Sequence, residues 1–177
     1  MKIRTTLATV LLIALWSAGS RATAFDGVPS PRLGQGPFES LAIVVNRSNQ
    51  TDNLSMVELR RIFLGERSHW ANGRRITLVM RDLGEPERRT VVRDVCGMTE
   101  DQLKFHVLHG LFTGEILVSP KILSSAEGVR KFVFNVPGAI GYLRMSDLDS
   151  TVKVVSIDNI LPGERAYELK VTIQTGY

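Results

Sequence analysis

Along the chain, runs in which every position is apolar alternate with stretches in which apolar residues recur every three or four positions. The two patterns predict different elements. Leu41-Ala42-Ile43-Val44-Val45 is continuous, apolar and largely β-branched, which suits a strand buried on both faces of a parallel or mixed sheet. It ends at Asn46, and a polar turn follows through Asn53. Ser55-Met56-Val57-Glu58 has the form of a capping box, in which the hydroxyl accepts from the amide three residues on and the carboxylate reaches back. A helix therefore starts there. Met56, Leu59, Ile62 and Phe63 recur at helical spacing, Glu58, Arg60 and Arg61 fall on the solvated side, and Gly65 ends the helix.

Arg75 to Met80 reads as a second strand that delivers Arg81 and Asp82 to its carboxyl end, the end where α/β folds place ligands. Pro86, between Glu85 and Glu87, suits the first position of another helix, because the missing amide would be unpaired there and acids favour the positive dipole end. Within it Val91, Val92, Val95 and Cys96 form one stripe. Thr99 with Gln102 offers a second capping box, followed by Leu103, Val107, Leu108, Leu111 and Phe112 at helical spacing. A helix from about Ser125 to Asn135 is stopped by Pro137-Gly138. Ala139–Leu143, Val152–Ile157 and Leu169–Ile173 read as strands. Strands alternating with helices predict an α/β domain with a mixed sheet flanked by helices over 40–177.

Residues 25–39 hold three prolines and three glycines with little periodicity, and read as a flexible entry segment. Before them, Lys2 and Arg4 precede the apolar Leu7–Leu15, and Ala22-Thr23-Ala24 has the small residues of a cleavage site. Residues 1–24 are thus expected to be a signal peptide cut before Phe25. The apolar run is shorter than the ~20 residues that span a bilayer, and the leader has no Cys for lipid attachment, so the expected location is periplasmic and unanchored. The formal charge of +4 sits mostly in this leader, which takes three of the 22 basic side chains and no acid. What remains is nearly neutral, with basic pairs interspersed among acids, and no nucleic-acid role is expected.

The single Cys96 falls on the apolar helical stripe and reads as a core residue. His106 and His109 share a helix face, but two ligands are too few for a zinc centre, and no metal or cofactor is expected. Trp70 reads as a packing residue. Gly138 and Gly141 serve turns and close packing. The sequence has no nucleophile elbow, phosphate-cradling glycine loop, zinc-protease motif or Cys–His pairing, so no enzyme is expected.

The order Leu41–Asn46, Asn53-Leu54-Ser55, Arg61-Ile62-Phe63-Leu64-Gly65, Trp70, Arg81, Phe112-Thr113-Gly114 and Val136-Pro137-Gly138-Ala139-Ile140-Gly141-Tyr142 resembles the phosphate-binding receptors of ABC import systems. The resemblance spans roughly residues 40–158. It implies a type II periplasmic-binding-protein-like fold, here a single lobe with its crossing strands. It also implies an oxyanion, phosphate or a similar ion, anchored by Arg81, with Ser55, the helix start after Gly84, and Arg88 as further candidates. The family follows its Arg with R-x-x-x-S-G-T, whereas the same offsets here are Glu85, Pro86 and Glu87. The expected affinity is therefore weak for a monomer. The alternative is an envelope protein-interaction module that keeps the lobe without a small ligand and covers its open face with a homodimer partner or another envelope protein.

Overall fold

The apolar run at 41–45 is the axis around which the other elements pair. The structure, a computed structural model, describes residues 37–173. The expected leader and most of the entry segment lie outside the described residues. β1 (Phe38–Asn46) has Leu41 through Val45 all 0 % exposed. Its neighbours β5 (Ala139–Arg144) and β6 (Val152–Ile157) both run antiparallel to it, with Val44 opposite Gly141 and Ile43 opposite Val155. β2 (Asn53–Leu54) is parallel to β6, β3 (Thr77–Arg81) is parallel to β5, and β4 (Lys121–Leu123) is parallel to β3. The sheet order is β2-β6-β1-β5-β3-β4, with β7 (Lys170–Thr172) pairing the start of β1. The sheet is mixed, as expected from the run's composition. Every strand of that path except β1 points the same way, so the carboxyl ends of β2, β3, β4, β5 and β6 share one edge.

Alternation along β1 divides the core. Leu41, Ile43 and Val45 face a cluster with Leu59, Ile62 and Phe63 of α1 (Met56–Phe63), Trp70, Val91, Val92, Val95, Cys96 and Tyr142. Ala42 and Val44 face Val129 and Val133 of α4 (Ala126–Asn135) on the other side. Helices thus flank both faces of the sheet. Side chains on successive strand positions point oppositely, so a strand with no polar position must be covered on both sides.

The expected caps form. Ser55 Oγ accepts from the Glu58 amide at 3.2 Å while Glu58 Oε2 accepts from the Ser55 amide at 3.0 Å. Thr99 and Gln102 make the same reciprocal pair at the start of α3 (Glu100–Thr113). Pro86 opens α2 (Pro86–Thr90), which continues as a π-helical turn over Val91–Val95, where the Cys96 amide donates to Val91 O at 3.1 Å.

Three features differ from the sequence expectation. β1 starts at Phe38, inside the expected entry segment, because Phe38–Ser40 pair with Lys170–Thr172 from the far end of the chain, a contact no local pattern reveals. β2 and β4 are strands of two and three residues, too short to show a period. α3 buries only Leu103 and Gly110 and half-buries Val107. Leu108, Leu111 and Phe112 are 46 %, 38 % and 89 % exposed, because nothing among the described residues packs on that side.

At Gly138 the close approach read from the sequence is severe. A Cβ there would lie 2.1 Å from Arg75 O, on a backbone that also accepts from Trp70 Nε1 at 3.0 Å and from the Thr77 amide at 3.0 Å. Relieving that overlap must move β3 or the Trp70 loop. Gly138→Ala is therefore expected to cost about 2 to 3 kcal/mol, at the upper end for overpacking. Urea unfolding checks this, and a loss below about 0.5 kcal/mol contradicts it.

Candidate functional site

β3 places Arg81 at its carboxyl end after Val79 and Met80, which are 0 % and 1 % exposed. The Arg81 amide donates to Tyr142 Oη on β5 at 2.9 Å, and its carbonyl accepts from Arg88 Nη1 at 2.9 Å. The residue's backbone is thus held from two sides. Burial pushes the Tyr142 hydroxyl well above the usual phenol range, so it stays protonated and fixed in this role. The Arg81 side chain is itself 10 % exposed. Its Nη2 donates to Ser124 O at 3.1 Å, just after β4, and lies 3.1 Å from Glu85 Oε2. Its Nε is buried with no hydrogen-bond partner among the described residues.

Carboxylates surround this corner. Arg88, also buried, turns its Nε and Nη2 onto Glu100 at 2.9 and 3.1 Å. Arg144, at the end of β5, is bonded through Nε to the buried Glu87 and lies 4.0 Å from Glu39 Oε2. Glu87 Oε2, like Arg81 Nε, is buried with no partner among the described residues. Buried arginines are retained when their charge is matched, since an unpaired buried charge costs several kcal/mol. Here the matching charges come from the chain itself.

Of the residues expected from the sequence, Arg81, Gly84 and Arg88 come together. Gly84 turns the chain at φ +88, a conformation that suits glycine, and its carbonyl accepts from Arg89 Nη1 at 2.6 Å. Arg88 does not face an open site. All three of its guanidinium nitrogens are engaged by Glu100 and by Arg81 O, so the ligand candidate expected from the sequence is here a lock between α2, α3 and β3. Ser55 stands at the end of β2, four strand spacings from β3, or roughly 19 Å at ~4.8 Å each. Its hydroxyl is absorbed by the capping box. Trp70 is 3 % exposed and packed, as its reading required. His106 bonds Leu64 O at 2.9 Å and His109 stacks on Phe105, while among the described residues no group of three His, Cys, Asp or Glu is placed to hold a metal. The positions of Tyr142, Glu100 and Arg144 around Arg81 were missed by sequence reasoning. No local pattern signalled them, whereas the acids at offsets four and six from Arg81, Glu85 and Glu87, stood out in the sequence.

A mixed sheet in this order, with helices on both faces and an arginine at the carboxyl edge, defines a type II periplasmic-binding-protein-like α/β lobe. The comparisons agree. The chain is 31 % identical over 127 residues, 69 % of its length, to the phosphate-binding protein PstS of Bacillus subtilis (strain 168), and covers 37 % of that protein. Its fold matches an ABC-type phosphate transport receptor from Vibrio cholerae, with TM-score 0.62, 20 % identity, 77 % of this chain and 55 % of that one. It also matches PstS from Borrelia burgdorferi, with TM-score 0.62, 14 % identity, 77 % and 56 %. No family model matches the chain. The chain is a partial-length relative of the phosphate ABC transporter substrate-binding proteins, spanning little more than a third of the curated relative and just over half of the solved receptors.

Cys96, 0 % exposed behind the π-helical turn, is raised by burial from an ordinary value near 9 to about 12, which fits the core role expected of it. A raised thiol pKa keeps the native side chain neutral where the unfolded one ionises. Its contribution to stability is therefore full below about pH 9 and is lost as pH rises toward 12. At pH 8 the native protein is expected to resist a thiol-reactive dye and the urea-unfolded protein to react within minutes. Rapid labelling of the folded protein contradicts this placement.

Proposed function

We propose that this chain is an exported, periplasmic, non-catalytic solute-binding-like protein that takes phosphate or a similar oxyanion weakly at the Arg81–Gly84 corner. The observation that carries this reading is the Arg81 guanidinium, held at the carboxyl edge of the sheet with one nitrogen on Glu85 and Ser124 and with Nε unpartnered among the described residues. An arginine fork offers two parallel donors to an oxyanion. The likeness to phosphate receptors supports the ligand class, and the missing Ser-Gly-Thr donors account for the weakness.

Magnitudes set the scale. Charge-assisted hydrogen bonds contribute on the order of 1.5 to 3 kcal/mol each, association costs at least ~4 kcal/mol, and millimolar affinity corresponds to about 4 kcal/mol. Three or four such bonds on one lobe, roughly 8 kcal/mol before the association cost, give millimolar binding. A second reading has its own observation. α3 presents Phe105, Leu108 and Phe112, at i, i+3 and i+7, to solvent at 70 %, 46 % and 89 % exposure, a stripe suited to a protein partner. In that case the lobe serves as a docking module, and a homodimer through α3 is its simplest form.

One experiment separates the two. The purified chain is melted in rising phosphate and sulfate, and its mass is measured by light scattering. The oxyanion reading expects a melting temperature that rises over the millimolar range and an Arg81→Ala variant that no longer responds. An unresponsive chain that is dimeric, and becomes monomeric with Phe112→Asp, overturns it in favour of the docking module.

A further inference from the structure

The side chain that should be free to meet a ligand is already met by one from its own chain. Glu85 follows the Gly84 turn and occupies the position just before α2, yet its carboxylate caps none of that helix's amides. It points instead to Arg81 Nη2, with Oε2 at 3.1 Å and the Glu85 side chain 36 % exposed. The second observation is on the arginine. Nη2 is shared between Glu85 and Ser124 O, while Nε, on the same edge of the guanidinium, is buried and has no partner among the described residues. A carboxylate seated fully on this edge would take both nitrogens, as Glu100 does on Arg88. Glu85 takes only one.

From this half-seated pair we infer that Glu85 is an internal competitor for the Arg81 site, a tethered carboxylate that any oxyanion must displace. The inference rests on the oxyanion reading and adds what limits it. A pair with one partner a third exposed is weak and opens readily. While it is closed, the site is unavailable, and apparent affinity falls in proportion to the open fraction. When it opens, Glu85 remains on the same turn as a like charge beside the incoming anion and lowers affinity again. Of the other glutamates at the corner, Glu87 is bonded to Arg144 and Glu100 to Arg88, which leaves Glu85 as the one placed on Arg81. The corner would therefore favour anions of higher charge, which displace the tethered carboxylate more readily. It would respond best to a ligand able to span Nε and Nη2 together.

Calorimetric titration of inorganic phosphate into the purified chain tests this, with Glu85→Gln, Arg81→Ala and the distant Glu127→Gln compared at one pH and ionic strength. Glu127→Gln carries the same change in net charge, on a residue paired to Lys131 on α4. Glu85→Gln is expected to bind at least tenfold more tightly than the wild type, Glu127→Gln to match the wild type, and Glu85→Gln with Arg81→Ala to lose the gain. Wild type and Glu85→Gln within twofold of each other, both abolished by Arg81→Ala, would overturn the competitor while leaving the oxyanion site intact. No binding by any variant up to tens of millimolar phosphate would overturn both. Circular dichroism melting of each variant establishes that it is folded.

Discussion

A strand with no polar side chain can carry chemistry only at its ends, and this constraint organises the molecule. β1 is buried from Leu41 to Val45, and β3 is buried at Val79 and Met80. Because β1 alone runs against the other strands of the path, their carboxyl ends gather at one edge, and the polar groups the sheet cannot hold collect there. Arg81 is the last residue of β3 at that edge, and its amide donates to the Tyr142 hydroxyl of neighbouring β5. The same Tyr142 ring packs 6.1 Å from Phe63 of α1, so the core fixes the arginine's backbone from below.

The corner is electrically closed by its own chain. Arg81, Arg88 and Arg144 each meet a glutamate, and the four glutamates come from β1, the turn before α2, α2 itself and the start of α3. Such a network can serve stability, since matched buried charges cost less than unmatched ones. It can also restrain a binding site. Two features favour restraint at Arg81. Its pair is incomplete at Nε, and the carboxylate involved, Glu85, is partly exposed and caps no helix amide. At Arg88 the pairing is complete, which is why that residue is structural.

Much of the fold was legible in the sequence because its elements are locally determined. The continuous run at 41–45, the two capping boxes and Pro86 at a helix start each depend on residues within a few positions, and each formed as read. The motif around Pro137–Tyr142 also pointed correctly to close packing, which Gly138 shows against Arg75. What escaped was non-local. Phe38–Ser40 became strand only through Lys170–Thr172, and the bonding of Arg88 to Glu100 needs a fold to bring α2 and α3 together. The exposed face of α3 could not be foreseen, since apolar spacing says that a face wants cover and not whether the chain supplies it. At the site, spacing after Arg81 revealed the unusual acids. Which acid took which arginine was decided by distances that no linear pattern contains.

Oxyanion binding at this corner requires the unpartnered Arg81 Nε–H, buried in this structure, to become reachable by a ligand. Nuclear magnetic resonance of the arginine Nε–Hε groups during a phosphate titration of the wild-type chain tests this directly. The Arg81 signal should move progressively over the millimolar range while Arg88, held on Glu100, stays in place. An Arg81 signal that never moves, while solvent-exposed Arg93 or the whole set drifts together with ionic strength, would contradict it.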